Sequence, residues 1–223
     1  MGVLRAPHPP TPEPPARPGT LLGIDLDNTL ICYDELFHRA ACEEGLIEPP
    51  VPPRKEAVRD AIRLLPDGER KWTRLQALVY GPRMSGAALF DGVADFLRRC
   101  ARTGTTVKII SHKTPLATLD GQAVDLRLAA RQWLEAKGFF SDLALSAGDV
   151  YFESTRAEKL TRIRALRCTH FIDDLPEVFA ELDFPKETRK LLFAPHGASA
   201  VAGTRVFAHW RELEQYFFDD VRH

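Results

Sequence analysis

The chain has 223 residues, 44% of them apolar and 27% charged, and its 30 Lys and Arg against 31 Asp and Glu give a formal net charge of −1. That composition excludes disorder of the whole chain, and the near-neutral balance gives no general attraction to nucleic acid or to an anionic membrane, so any bound anion has to be caught locally. Four cysteines, Cys32, Cys42, Cys100 and Cys168, lie far apart with no C-x-x-C pair, a spacing that suggests neither zinc nor a disulfide framework and fits reduced, mostly buried thiols.

Residues 1–19 hold seven prolines and little that can pack, which predicts a disordered, partly polyproline-II tail. No charged segment followed by an apolar run marks a targeting signal, and no stretch reaches the length of a membrane span, so a soluble, cytoplasmic protein is expected. From Thr20 onward short apolar runs alternate with helix-like sequence, the signature of an α/β fold with a Rossmann-like parallel sheet and crossover helices. Strands are expected at Leu21–Leu26, Thr106–Ile110, Leu143–Leu145, His170–Ile172 and Arg189–Phe193. Helical spacing marks core-facing stripes at Val93, Phe96 and Leu97, then at Leu126, Ala130, Trp133 and Leu134, at Leu160, Ile163 and Leu166, and at Val178, Phe179 and Leu182. Near the C-terminus, Trp210, Leu213, Tyr216 and Phe217 form a last stripe of this kind.

About eighty residues separate the first two strands, too many for one crossover helix and its loops. Residues 33–88 therefore read as a small helical insertion, with helices opening near Glu35 and Glu56 and a stiff Pro-rich connection over 49–53. The predicted organisation is a tail over 1–19, an α/β core built from 20–32 and 89–223, and the insertion between them.

Where the first apolar run stops, the sequence Gly23-Ile24-Asp25-Leu26-Asp27-Asn28-Thr29 places two carboxylates two positions apart. On extended chain such residues point the same way, so Asp25 and Asp27 are able to converge on one ligand. Paired carboxylates repel unless a cation or proton intervenes, and Mg²⁺ is a hard cation suited to carboxylates and substrate phosphate. The same residues also fit a plain strand end, with Asn28 and Thr29 in an Asx-type turn. Ligands of open α/β sheets gather beyond the carboxyl ends of the strands. There the chain carries Ser111 after the second run, Asp173 and Asp174 after the fourth, and Lys159 at the start of the intervening helix. A hydroxyl, an ammonium group and a pair of metal-binding acids are the residue types that handle a phosphoryl group.

The order Asp-x-Asp-x-Thr, Ser, Lys, Asp-Asp resembles the four motifs of the haloacid dehalogenase-like superfamily, and the segment 33–88 is similar to that superfamily's helical cap in its first insertion position. The resemblance implies that Asp25 is a nucleophile forming an aspartyl-phosphate, and that Asp27 is the acid and base serving the leaving group and the attacking water. It implies Mg²⁺ held by Asp25, the backbone carbonyl of Asp27 and one of Asp173 or Asp174, with Ser111 and Lys159 on the phosphoryl oxygens and Thr29 bracing the loop. Further candidates for substrate binding are His112, Lys113, which is placed to take a second anionic group, and Arg83 at a Gly-Pro turn. His196, after the fifth strand, reads as a surface histidine. Asp27 argues against dehalogenation and against phosphonate hydrolysis through a cap lysine such as Lys55 or Lys71. The expected function is a Mg²⁺-dependent phosphatase of a small phosphomonoester, a sugar phosphate or a nucleotide. A phosphotransferase or phosphomutase built from the same motifs, and a non-catalytic phosphate-binding module, stay open as alternatives. The expected partner is a phosphorylated small molecule, with no nucleic acid and no membrane.

Overall fold

A computed structural model of the chain describes residues 19–143, 145–198 and 201–221. The tail expected over 1–19 lies outside the described residues apart from Gly19, and so does Ala144 of the strand expected at Leu143–Leu145. In chain order the elements are β1 (Leu21–Ile24), β2 (Ile31–Cys32), α1 (Asp34–Glu43), α2 (Lys55–Arg63), α3 (Gly68–Tyr80), β3 (Ala88–Leu89), α4 (Val93–Thr103), β4 (Thr106–His112), β5 (Leu116–Leu119) and β6 (Gln122–Asp125). They continue with α5 (Leu126–Ala136), β7 (Val150–Glu153), α6 (Arg156–Ala165), β8 (His170–Asp173), α7 (Pro176–Ala180), β9 (Arg189–Phe193), β10 (Thr204–Phe207) and α8 (Trp210–Asp220).

Six strands form one parallel sheet in the order β10-β9-β8-β1-β4-β7. Covered on both faces, its central strands read as continuous apolar runs, and Leu22, Ile24, Ile109, Ile110, Phe171 and Ile172 are all buried. Leu22, Ile24, Ile109 and Ile172 pack with α4, α5 and α8, while Ile110, Phe171 and Leu192 face α6 and α7. The register pairs Ile24 with both Ile172 and Ile109, so β1, β8 and β4 end side by side. This is what brings Asp25, Asp173 and Ser111 to one edge of the sheet.

Helices α1 to α3 leave and re-enter the core through a two-stranded antiparallel ribbon in which Ile31 faces Leu89 and Cys32 faces Ala88. Phe37, Val58, Ile62, Trp72 and Leu75 belong to the same continuous apolar cluster as Leu22 and Ile24, and Phe37 stacks on Trp72 at 5.0 Å between centroids. The inserted helices are therefore packed onto the α/β core through shared apolar contacts.

Several expectations are corrected. Leu143 and Leu145 are buried in a loop, and the strand beside β4 is Val150–Glu153, an edge strand with only Val150 fully buried. Leu182 is 99% exposed because α7 stops at Ala180, short of the stripe assigned to it. Strand β10 and the hairpin β5–β6 were absent from the expected elements. The hairpin turns on Asp120 and Gly121, with φ of 50° and 82°, the left-handed pair that matches the twist of a two-residue hairpin. Its tip reaches α3. Arg74 donates from Nε and Nη2 to the two oxygens of Asp120 at 2.7 and 2.8 Å, and from Nη1 to Glu44 of the loop after α1 at 2.6 Å.

Gly23 allows β1 to sit at the sheet centre, since a Cβ there would lie 2.5 Å from Phe171 Cδ2 and 3.1 Å from Cys168 Sγ. Gly23→Ala is expected to lower the unfolding free energy by about 1–3 kcal/mol through overpacking, as read from urea denaturation.

Candidate active site

Asp25 follows β1 directly and donates its backbone N–H to the Ile172 carbonyl at 2.9 Å, which fixes the side chain at the edge of the sheet. The chain then turns sharply. Leu30 and Ile31 both donate to the carbonyl of Leu26, and Asn28 takes the left-handed conformation at φ 60°, which asparagine tolerates better than most residues. Thr29 is fully buried, its hydroxyl donating to Asp174 Oδ1 at 3.4 Å and its carbonyl accepting from Trp210 Nε1 at 3.1 Å. The loop that holds the two aspartates is thus pinned to both β8 and α8.

Lys159 owes its place to the start of α6. Thr155 accepts at its hydroxyl from the backbone N–H of Glu158, while Glu158 accepts from the N–H groups of Ser154 and Thr155, a reciprocal cap that sets the helix phase. One residue later Lys159 points at the sheet, 1% exposed, and its Nζ donates to Asp25 Oδ1 and to Asp173 Oδ2, both at 2.6 Å. Asp173, wholly buried, also accepts from the N–H of Leu175 at 3.0 Å.

Carboxylate oxygens of Asp25, Asp173 and Asp174 lie within 4.8 Å of one another. Burial pushes the Asp25 carboxyl up to about 7, with Asp173 and Asp27 adding to the shift and Lys159 opposing it. Burial, with Asp173 and Asp25 adding to it, pushes Asp174 well above the ordinary carboxylate range. Lys159 and, for Asp174, Lys55 oppose these shifts without cancelling them. The all-oxygen donor set fits a hard divalent cation.

Ser111 ends this side of the site. It is 1% exposed, and its Oγ is the one buried side-chain polar atom among the described residues with no hydrogen-bond partner in the protein. It lines a cavity of about 450 Å³ together with Asp25, Asp27, Lys159 and Asp174. A hydroxyl hidden from water and left without a partner is costly, so its position marks where a ligand acceptor belongs.

Asp27 is gripped from two sides. Tyr33, at the start of α1, donates to Oδ1 at 2.6 Å, and Lys113, 3% exposed, donates from Nζ to Oδ2 at 2.6 Å. Burial alone would raise the Asp27 carboxyl, but the Lys113 ammonium and the Tyr33 hydroxyl outweigh it and hold it below the ordinary range. Lys113, expected to receive a substrate anion, is therefore committed to Asp27. His112 lines the cavity and is anchored through Nε2 to the Ser154 carbonyl at 3.1 Å. Arg83 is not brought to the site. It pairs with Glu43 of α1 and is absent from the cavity wall, because the turn after α3 aims it along the helices instead of toward the sheet. His196 bonds to Asp34 at 2.8 Å outside this cavity.

No protein-family model and no curated protein matches the chain. Solved structures do. A HAD family hydrolase from Deinococcus radiodurans, determined with bound phosphate and sodium, aligns at 18% identity with a TM-score of 0.55, covering 91% of this chain and 96% of its own. A HAD-superfamily hydrolase from Ehrlichia chaffeensis aligns at 14% identity and TM-score 0.53, covering 95% and 100%. A family IA HAD hydrolase from Entamoeba histolytica gives 10% and 0.55, covering 92% and 100%. The chain shares the fold of these HAD hydrolase structures. At such identities the likeness carries the architecture alone.

Within this haloacid dehalogenase fold, sequence reasoning missed Tyr33, Tyr80 and the cavity-facing stripe of α3. The spacing Thr73, Gln76, Ala77, Tyr80 is a helical i, i+3, i+4, i+7 pattern, yet it mixes polar and apolar residues and so lacks the signature of a core face. No described helix is long and apolar enough to cross a membrane.

Lys159→Met would leave the facing carboxylates of Asp25 and Asp173 without their shared cation. In buffer free of divalent ions the variant is expected to lose about 3–5 kcal/mol of stability, as read from chemical denaturation.

Proposed function

We propose that the protein is a Mg²⁺-dependent phosphatase that hydrolyses a small phosphomonoester through an aspartyl-phosphate on Asp25. The observation that carries this reading is the unpartnered, buried hydroxyl of Ser111 in the same cavity as Asp25 and Lys159. Together they offer a nucleophilic carboxylate, a hydrogen-bond donor and an ammonium charge around a space suited to a phosphoryl group. The phosphate bound by the Deinococcus radiodurans protein of the same fold supports the assignment.

Of the acidic pair, Asp174 lines the cavity, whereas both oxygens of Asp173 are engaged by Lys159 and the Leu175 N–H. Asp25 and Asp174 are thus the side chains best placed to hold Mg²⁺, with Asp173 setting the position of Lys159. When bound, the ion supplies positive charge to the transferring phosphoryl group and relieves repulsion among the carboxylates.

In the first step an oxygen of the Asp25 carboxylate bonds to phosphorus as the ester P–O bond breaks, and Asp27, ionised in the substrate-free protein, gives the departing alkoxide the proton it takes up from the substrate monoanion on binding. In the second, water bonds to phosphorus, its proton returns to Asp27, and the Asp25–phosphorus bond breaks to release phosphate. Ser111 and Lys159 hold phosphoryl oxygens throughout, a positional and electrostatic role of the kind that dominates phosphoryl transfer. Lys113 and Tyr33 act through Asp27, fixing the direction of its carboxylate.

Phosphate release from a panel of phosphomonoesters is expected to require Mg²⁺, to stop on chelation, and to fall to background in Asp25→Asn; turnover that survives Asp25→Asn would overturn the mechanism. For Lys113→Met, the ratio of kcat/KM on an alkyl phosphate to that on p-nitrophenyl phosphate is expected to fall roughly tenfold to hundredfold, since only the alkoxide needs a well-aimed acid. Steady-state kinetics on the two esters measures that ratio.

A further inference from the structure

Beside the phosphate-binding residues, the cavity is lined by Thr73, Gln76 and Ala77 of α3, by Thr114, by Ala117 of β5 and by Leu126 of α5. The cations of this wall are all committed. Lys159 is bonded to Asp25 and Asp173, Lys113 to Asp27, and Arg156 to Glu181 at 2.9 Å. Lys55 lies off the cavity wall, its Nζ 5.9 Å from the ring centroid of Phe37 and 5.7 Å from that of Tyr80. A second anionic group on the substrate would have to dismantle one of these pairs, and at Lys113 or Lys159 would leave a buried carboxylate without its cation.

Aromatic surface is no more available. Tyr80 is the one Phe, Tyr or Trp among the described residues of the wall, and the ammonium groups of Lys113 and Lys55 lie over its ring at 5.3 and 5.7 Å from the centroid. The other ring of the wall, the imidazole of His112, is tied through Nε2 to the Ser154 carbonyl, so a nucleobase finds no unengaged ring to stack on. The side chains of Thr73, Gln76 and Thr114, in contrast, have no hydrogen-bond partner among the described residues, and the small side chains of Ala77 and Ala117 line the same wall. An amide and two hydroxyls offer donors and acceptors at several points, the complement of a group that carries several hydroxyls of its own.

Building on the phosphatase reading, we propose that this wall is a leaving-group subsite for a neutral, polyhydroxylated alcohol. The substrate is then the monophosphate of a monosaccharide or polyol with no second acidic group, and Gln76 and Thr73 of α3 select it.

The test uses the full chain with Mg²⁺ and compares kcat/KM on glucose 6-phosphate, 6-phosphogluconate, fructose 1,6-bisphosphate, AMP and p-nitrophenyl phosphate. Glucose 6-phosphate is expected to exceed 6-phosphogluconate, the open-chain acid that carries a carboxylate at C1, by roughly tenfold or more, and to exceed the bisphosphate and AMP as well. In Gln76→Leu the ratio of kcat/KM on glucose 6-phosphate to that on p-nitrophenyl phosphate is expected to drop about tenfold, the effect of one lost hydrogen bond to a substrate hydroxyl. Higher rates on the doubly anionic esters or on AMP, or a Gln76→Leu ratio equal to that of the unaltered protein, would overturn the subsite while leaving the phosphatase standing. Absence of turnover on every ester, p-nitrophenyl phosphate included, would remove the phosphatase reading and the subsite with it.

Discussion

Three carboxylates gathered within 4.8 Å of one another repel unless a cation or a proton is placed among them, and the ammonium of Lys159, bonded to Asp25 and Asp173, meets only part of that demand. Much of the local architecture serves this arrangement. The parallel register of β1 and β8 sets Asp25 beside Asp173, and the reciprocal cap of Thr155 and Glu158 phases α6 so that its lysine arrives from above. Burial, with the acidic neighbours adding to it, displaces Asp25 and Asp174 toward the protonated form. A proton on one of these carboxyls or a further cation would complete the balance, and the proposed Mg²⁺ is a cation of the kind such an all-oxygen set takes.

The two aspartates of the first loop, two residues apart, live under opposite regimes. Asp25 sits among acids and is pushed up, while Asp27 is held down by Lys113 and Tyr33. Their separation is produced by the turn at Asn28, which carries the chain from β1 into the ribbon toward α1 and so lets a residue of the inserted helices reach Asp27. In the proposed mechanism this gives a nucleophile anchored in the sheet and an acid held partly by the insertion, a division of labour that neither unit could supply alone.

How much of this was legible in the sequence follows from where the information is stored. Apolar runs ending in Asp25, Ser111 and Asp173 were readable because parallel strands buried on both faces leave a continuous signal, and the acids at their ends stand out against it. The edge strand Val150–Glu153 carries no such signal, being buried at one residue only, while the Leu143–Leu145 triplet imitates a strand because a buried loop can be equally apolar. The Asp120-Gly121 pair was a local hairpin cue flanked by short alternating segments, and it was passed over. Partnerships are the least legible level. Nothing in the spacing of Asp27, Tyr33 and Lys113 states that they meet, and Arg83 was assigned inward although Glu43 claims it across the fold.

The hairpin β5–β6 gives the cavity wall an unusual ownership. It grows from the core directly after Ser111, His112 and Lys113, contributes Ala117 to the wall, and at its tip grips Arg74, one residue from Thr73 on α3. Helix α3 is thus seated from two directions, by its own insertion and by a stretch of core chain more than forty residues downstream. For anyone grafting a different helix into this position to alter what the cavity accepts, the exchangeable part is a discontinuous one: residues 68–80 and residues 116–125 form a single module, to be moved together or not at all.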